Sequence, residues 1–259
     1  MPVSTVKSQT DDVPALALAS VGRRFGALVA LQDVTLTLRH GERRAIIGAN
    51  GAGKTTLFNT VTGDFPPTSG RILLAGRDIT KMPPQARTRL GLRRTYQTPL
   101  LLDQLTVRDN FYVAVRGIRG GRLHLWRGAD AGADEQEVLR LAELTGVSPL
   151  LGRRAVEISH GERRQVEIAM ALAGTPDVLL LDEPAAGLSP GDRGTLTALL
   201  RSLPRSITIV LIEHDMDVAL GFAEFVTVMH NGRVFCEGLP AAIAADQRVH
   251  EIYMGHRHG

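Results

Sequence analysis

Cysteine is nearly missing from this 259-residue chain, where Cys236 stands alone. No internal disulfide or cysteine-rich zinc cluster can form, and a reducing compartment is the simpler expectation. Aromatic side chains make up only 4%, too few for the base-stacking platforms of a single-strand nucleic-acid binder. No apolar run approaches the roughly 18 to 20 residues that cross a bilayer as a helix. Residues 1–14 are polar and carry Asp11 and Asp12, unlike a secretory signal, and read as a flexible leader. Lysine is scarce too: Lys7, Lys54 and Lys81 are the only three among 30 basic side chains. The net charge is a modest +3, with acids and bases interspersed and no long block of like charge, so nucleic acid is not expected as a partner. No self-similar period of the kind that marks solenoids or propellers is present.

What is present suits an ordinary globular chain. The 44% hydrophobic and 22% charged residues are close to average, and the length is enough to bury a sizeable core. We expect one domain over residues 15–259. Val34-Thr35-Leu36-Thr37-Leu38 alternates like a half-buried strand, and Arg71-Ile72-Leu73-Leu74-Ala75 runs as a second into the turn Gly76-Arg77-Asp78. Between them, Arg44-Ala45-Ile46-Ile47 is a short apolar strand, followed by a glycine-rich loop and a helix over 55–62 stopped by Gly63. The stretch 98–157 changes character, with a run Leu100-Leu101-Leu102, a loop-like segment over 116–134 and an amphipathic helix over 135–145. A helix over 162–173, the apolar strand Val178-Leu179-Leu180-Leu181, a helix over 191–203 and an apolar strand over 207–212 then alternate as in a parallel sheet. Asn231-Gly232 between two apolar runs is a hairpin-turn signal.

Gly48-Ala49-Asn50-Gly51-Ala52-Gly53-Lys54-Thr55 matches the P-loop pattern, after a strand and at the head of a helix, which is the context it needs. Glycines let successive N–H groups curl around phosphate oxygens, Lys54 adds a point charge at the β- and γ-phosphates, and the Thr55 hydroxyl can ligate Mg²⁺. The phosphates would sit at the positive end of the helix. Asn50, Gly51, Ala52, Gly53, Lys54, Thr55 and Thr56 are therefore candidate nucleotide-binding residues. Asp182 and Glu183 close a buried strand at what would be the ligand-binding edge of an open α/β sheet. There Asp182 can hold the Mg²⁺ shell and Glu183 can polarise an attacking water. Ser159-His160-Gly161-Glu162 reads in two compatible ways. It is a capping box for the helix that follows, and it is a helix N-terminus that turns N–H groups and a hydroxyl toward an anion.

Together these motifs resemble the ATP-binding subunits of ABC transporters, over about residues 15–255. The resemblance implies an α/β fold: a P-loop, RecA-like core carrying an antiparallel β-subdomain, with a helical subdomain inserted over about 98–157. Ile158-Ser159-His160-Gly161-Glu162 stands at the family's five-residue signature, which implies that Ser159, Gly161 and Glu162 complete the ATP site of an opposing subunit. Ile158, His160 and Glu162 depart from the usual wording. Gln97, within Arg94-Thr95-Tyr96-Gln97, matches the glutamine that touches Mg²⁺ and signals to the membrane subunit. His214 matches the histidine at the γ-phosphate, and Phe25, in Arg24-Phe25-Gly26, the aromatic that stacks on adenine. Glu183, Lys54, His214 and Gln97 would then carry hydrolysis of ATP to ADP and phosphate. Ser189 stands where the family often has an aspartate.

Within the family, Gly70-Arg71-Ile72, Gly76-Arg77-Asp78-Ile79-Thr80, the stretches 181–190 and 212–216, and Ile252-Tyr253-Met254-Gly255 resemble the branched-chain amino-acid uptake branch. Gly161-Glu162-Arg163-Arg164 also resembles the lipopolysaccharide-export ATPases. The first likeness implies uptake of branched-chain amino acids or related small amino acids and amides. It also implies ATP and Mg²⁺ as cofactors, two integral-membrane permease subunits and a second ATP-binding subunit (a paralogue or another copy) as partners, and a solute-binding protein acting indirectly. The place implied is peripheral, on the cytoplasmic face of the cell membrane. A soluble ABC-type clamp on nucleic acid or ribosomes is the rival class, and no concentrated basic arm supports it. His256 and His258 are too few to read as a metal site, Cys236 reads as a small apolar strand residue, and Trp126 as part of a solvated loop.

Overall fold

The structure, a computed structural model, describes residues 13–96, 101–119 and 131–254. The chain opens with a hairpin of β1 (Leu16–Phe25) and β2 (Leu28–Leu38). In β2 the alternation does what it predicts: Val34, Leu36 and Leu38 are buried while Thr35 and Thr37 face out. β3 (Arg43–Ile47) follows, buried at all five positions, and leads through the P-loop into α1 (Lys54–Thr62). Next come β4 (Ser69–Leu74), β5 (Arg77–Asp78), α2 (Pro84–Arg89) and β6 (Leu92–Arg94). Helices α3 (Val107–Arg119), α4 (Ala131–Leu144) and α5 (His160–Ala171) occupy the middle of the chain. β7 (Val178–Asp182), α6 (Pro190–Ser202), β8 (Thr208–Ile212) and α7 (Met216–Phe222) alternate after them. The chain then forms the hairpin β9 (Phe225–His230) and β10 (Arg233–Gly238), followed by α8 (Pro240–Ala245) and α9 (Gln247–Met254).

Two sheets result. One is antiparallel with order β2-β1-β4-β5; the other has order β10-β9-β3-β8-β7-β6 and is parallel except for the β10–β9 pair. The turn between β9 and β10 carries Asn231 at φ 48° and Gly232 at φ 73°, the paired positive values that let a two-residue turn follow the strand twist.

The central strands divide two cores between their alternate residues. Ala45, Ile47, Leu179, Leu181, Ile209 and Leu211 join a cluster with Phe111, Val138 and Ile168 of the helices. Ile46, Val178, Leu180, Val210 and Ile212 join the other cluster, with α1 and the antiparallel sheet. Every position is apolar because each faces a core on one side or the other, and a one-residue register slip would exchange the two sets.

The loop-like segment expected over 116–134 is shorter than that. Residues 116–119 finish α3 and residues 131–134 begin α4, while residues 120–130, with Trp126, lie outside the described residues. The reason is a long-range ion pair: Arg116 Nε lies 2.5 Å from the buried Asp134 carboxylate, which also places an acid in the first turn of α4 where the helix dipole favours it. Strand β6 was not anticipated; three residues, paired among the described residues to β7 alone, are too few to show a period. The leader expected over residues 1–14 lies outside the described residues as far as residue 12. Among the described residues, no helix is long and apolar enough to cross a membrane.

Candidate functional site

The carboxyl ends of β3, β7 and β8 lie side by side, as the order β3-β8-β7 requires, and the site is built on that edge. The P-loop leaves β3 at Gly48, whose φ is 155°; a Cβ there would stand 2.3 Å from the Met229 carbonyl oxygen. Gly53, at φ 97°, would put a Cβ 2.8 Å from the Ala30 carbonyl oxygen. Both positions thus need glycine for conformation and for room. Gly53 is the N-cap of α1 and provides no side-chain bond, and no acid lies in the first turn. The positive end of α1 is left without a compensating group of its own.

Lys54 is buried, and its Nζ donates to the carbonyls of Gly48 at 2.6 Å and Ala49 at 3.2 Å. Burial lowers its pKa, and the nearby Glu183 and Asp182 carboxylates pull it back up. A cleft of about 600 Å³ opens beside it, lined by Asn50, Gly51, Ala52, Gly53, Lys54, Thr55, Thr56 and Glu183. Its remaining walls are Leu28, Val29 and Ala30 of the β1–β2 hairpin and Asn231 and Gly232 of the β9–β10 turn. The hairpin and turn are bonded to each other and to the P-loop: Gln32 N–H donates to the Gly232 carbonyl at 2.8 Å, and Gly232 N–H to the Ala52 carbonyl at 3.0 Å.

Asp182 is 1% exposed. Its Oδ2 accepts from Arg94 Nη2 at 2.6 Å, while its buried Oδ1 has no hydrogen-bond partner among the described residues. A carboxylate oxygen left without a described partner at the strand end suits a divalent cation. Arg94 also bonds Asn59 Oδ1 and lies 3.3 Å from the Asp64 carboxylate, so one arginine ties β6 to β7 and α1. Removing it would strand a buried carboxylate, a change that typically costs about 3–5 kcal/mol.

Glu183 sits just past β7 at φ 46°, held by its N–H to the Ile212 carbonyl at 2.9 Å. His214 Nδ1 lies 3.7 Å from Glu183 Oε2 and 3.9 Å from Glu213 Oε2. These distances are electrostatic contacts and are too long for hydrogen bonds. Glu213 is fully buried, with Oε1 accepting from Ala185 N–H at 2.9 Å, and burial pushes its pKa up.

The capping box is present. Ser159 Oγ accepts from Glu162 N–H at 3.2 Å, and Glu162 Oε2 accepts from Ser159 N–H at 2.7 Å. Gly161 is needed for room: a Cβ would meet the Asp192 carboxylate at 2.7 Å. Ser189 caps the next helix, α6, accepting from Asp192 N–H at 3.2 Å and bonding its carboxylate at 2.6 Å. On this single chain Ser159, Gly161 and Glu162 do not line the P-loop cleft.

Phe25 also lies outside the lining of that cleft. It stands at the end of β1 with the Phe65 ring edge-on at 5.4 Å and the Arg23 guanidinium 4.4 Å above its face. Gln97 lies outside the described residues; the chain is described up to Tyr96. Of the Leu100–Leu102 run, Leu101 packs against the helical core and Leu102 is exposed. Sequence reasoning missed Arg94, Asn231, Gly232 and the Leu28–Ala30 wall. Asn231-Gly232 was legible as a turn, but nothing local linked it to the P-loop, and Arg94 was legible only as the charged residue three places before Gln97.

Comparisons with known proteins agree with this geometry. The family model described as "ABC transporter" matches residues 31–186. The "High-affinity branched-chain amino acid transport ATP-binding protein LivG" of Salmonella typhimurium is 37% identical over 251 residues, covering 93% of this chain and 98% of that one. The protein of the same description called BraF, from Pseudomonas aeruginosa, is 34% identical over 250 residues, with the same coverage. A solved ATP-binding cassette of an ABC transporter in its ADP conformation superposes with a TM-score of 0.83 at 31% identity, over 93% of this chain and 99% of that one.

Proposed function

The chain belongs to the ABC transporter family as an ATP-binding cassette that hydrolyses ATP to drive transport, and from that premise we propose that it powers uptake of branched-chain amino acids through partner permeases. The observation that carries the general chemistry is the meeting of an uncapped P-loop helix, Lys54 and the Glu183 carboxylate at one cleft, with the buried Asp182 next to Glu183 at the end of β7. The solute class rests on similarity over nearly the whole length to transport proteins described for branched-chain amino acids.

In this reading Asn50 to Thr56 and Lys54 Nζ hold the nucleotide phosphates, with Lys54 exchanging its two carbonyl partners for phosphate oxygens. Thr55, Asp182 and Gln97 would hold Mg²⁺, for which the orphaned Asp182 Oδ1 is the fitting donor. Held there, the ion would supply positive charge against the nucleotide phosphates. Glu183 orients the attacking water and takes its proton, with His214 beside it at the γ-phosphate. Adenine packs toward the Leu28–Ala30 wall and reaches past the cleft lining to Phe25 at the end of β1. A second subunit, a paralogue or another copy, presents its own Ser159-to-Glu162 equivalent, since on one chain that helix end is away from the cleft. The helical subdomain, about 98–157, and the segment at Gln97 face the permeases from the cytoplasmic side of the membrane.

The test is tagged purification from native cells in mild detergent, paired with uptake of radiolabelled leucine in a deletion strain. Two multi-span permeases should co-purify, and uptake should return with the wild-type chain and not with Lys54→Ala. Lipid-export partners, or unaltered leucine uptake in the deletion strain, would overturn the solute assignment.

A further inference from the structure

Arg164 and Glu167 form a buried pair in α5, 3% and 7% exposed, for which the reading above has no use. Arg164 donates through Nε to the Pro184 carbonyl at 3.0 Å and through Nη2 to the Asp182 carbonyl at 3.0 Å. Its Nη1 donates to the Tyr96 carbonyl at 2.8 Å and to the Glu167 carboxylate. Glu167 Oε1 in turn accepts from Tyr96 N–H at 3.3 Å.

Two features of this arrangement bear on chemistry. Asp182 and Pro184 flank Glu183, whose left-handed backbone persists only where the surroundings over-determine it. Arg164 grips the carbonyls on both sides of that residue. Tyr96, the last residue before Gln97, has both its N–H and its C=O taken by side chains of α5. The β6 ladder has just ended there, with Thr95 N–H still bonded to the Leu180 carbonyl at 2.9 Å. Packing alone does not ask for this pair, because apolar side chains of similar volume would fill the space without desolvating two charges.

We propose that Arg164, held by Glu167, is a positioning residue for hydrolysis, fixing the backbone around Glu183 and the approach to Gln97 to the helix that begins at Ser159. The proposal rests on the reading of Glu183 as the group that activates water. One consequence follows for the paired subunits. A displacement of α5, when its N-terminus meets nucleotide held by the partner, is delivered to the hydrolytic edge of its own subunit.

The test uses the full-length chain as wild type, Arg164→Lys and the double variant Arg164→Met with Glu167→Leu. In the double variant both charges leave together, so no unpaired ion burdens the fold. Binding of a fluorescent ATP analogue, steady-state hydrolysis against ATP concentration and thermal melting are measured. Affinity and KM should hold, while kcat falls about tenfold to hundredfold, the scale of a misplacement of about 1 Å. Lysine should not rescue, because one ammonium cannot reach the three carbonyls. Wild-type kcat in the folded double variant would overturn the proposal, as would a loss of affinity and melting temperature in step with kcat. Glu183→Gln run alongside separates the two readings. Normal turnover there removes the water-activating role of Glu183, whereas a stalled Glu183→Gln beside normal Arg164 variants removes only the positioning role.

Discussion

Two helices of this chain begin where phosphates are proposed to bind, α1 within one subunit and α5 across the subunit pair, and they begin in opposite ways. The first turn of α1 has a left-handed glycine for a cap, no acid, and a buried lysine at its first position. Each of these choices is unfavourable for an isolated helix, since the N–H groups are unbonded and a cation sits at the positive end of the dipole. The first turn of α5 has a serine cap and a glutamate completing the box, so the N–H groups of Ser159 and Glu162 are bonded locally. The difference separates a helix end with no side-chain cap, which relies on an anion, from one that is stabilised by its own side chains and adds its remaining N–H groups to a site formed elsewhere.

The sharpest way to break the comparison is at Lys54. Lys54→Ala removes charge-assisted bonds worth roughly 1.5–3 kcal/mol each. ATP affinity, measured with a fluorescent analogue, should fall about a hundredfold or more. An affinity within a few-fold of wild type would place the phosphates somewhere other than α1. Ligand addition tests the same asymmetry from the other side. ATP at about 100 times its Kd adds about 2.7 kcal/mol of stability, which for a chain of this size should raise Tm by about 5–10 °C. The rise should be absent in Lys54→Ala and intact in Ser159→Ala. The smallest effect belongs to the self-sufficient helix: Ser159→Ala should cost about 1 kcal/mol, a fall of about 2–4 °C in Tm. Its ATP affinity as a single chain should not change. A lower affinity in that variant would mean that α5 contributes to its own subunit's site.

Much of the scaffold was legible because its signals are local. The glycine spacing of 48–55, the unbroken apolar strands and the Ser159–Glu162 spacing each constrain a few neighbouring residues, and each appears in the structure within a residue or two of its expected place. Helix boundaries moved where a distant partner intervened, as Asp134 was drawn into the first turn of α4 by Arg116. Strand β6 escaped notice because three residues carry no period, and its existence depends on β7 offering an edge. The cleft walls at Leu28–Ala30 and Asn231–Gly232 were unreadable for a related reason. They belong to two hairpins far apart in the chain that meet only when Gly232 bonds Gln32 and Ala52.

The sequence by itself determined which groups would carry chemistry, since a P-loop, a strand-final acid pair and a capping box are each spelled by contiguous residues whose backbone geometry follows from their own side chains. Only the tertiary structure decided how those groups are held. Arg94 on Asp182, and Arg164 across Asp182, Pro184 and Tyr96, join residues up to 88 positions apart. An arginine in a sequence looks the same whether it faces water or spans a buried gap. Burial and direction, which turn a common surface residue into a strut, come from how the sheet order brings β6, β7 and α5 together.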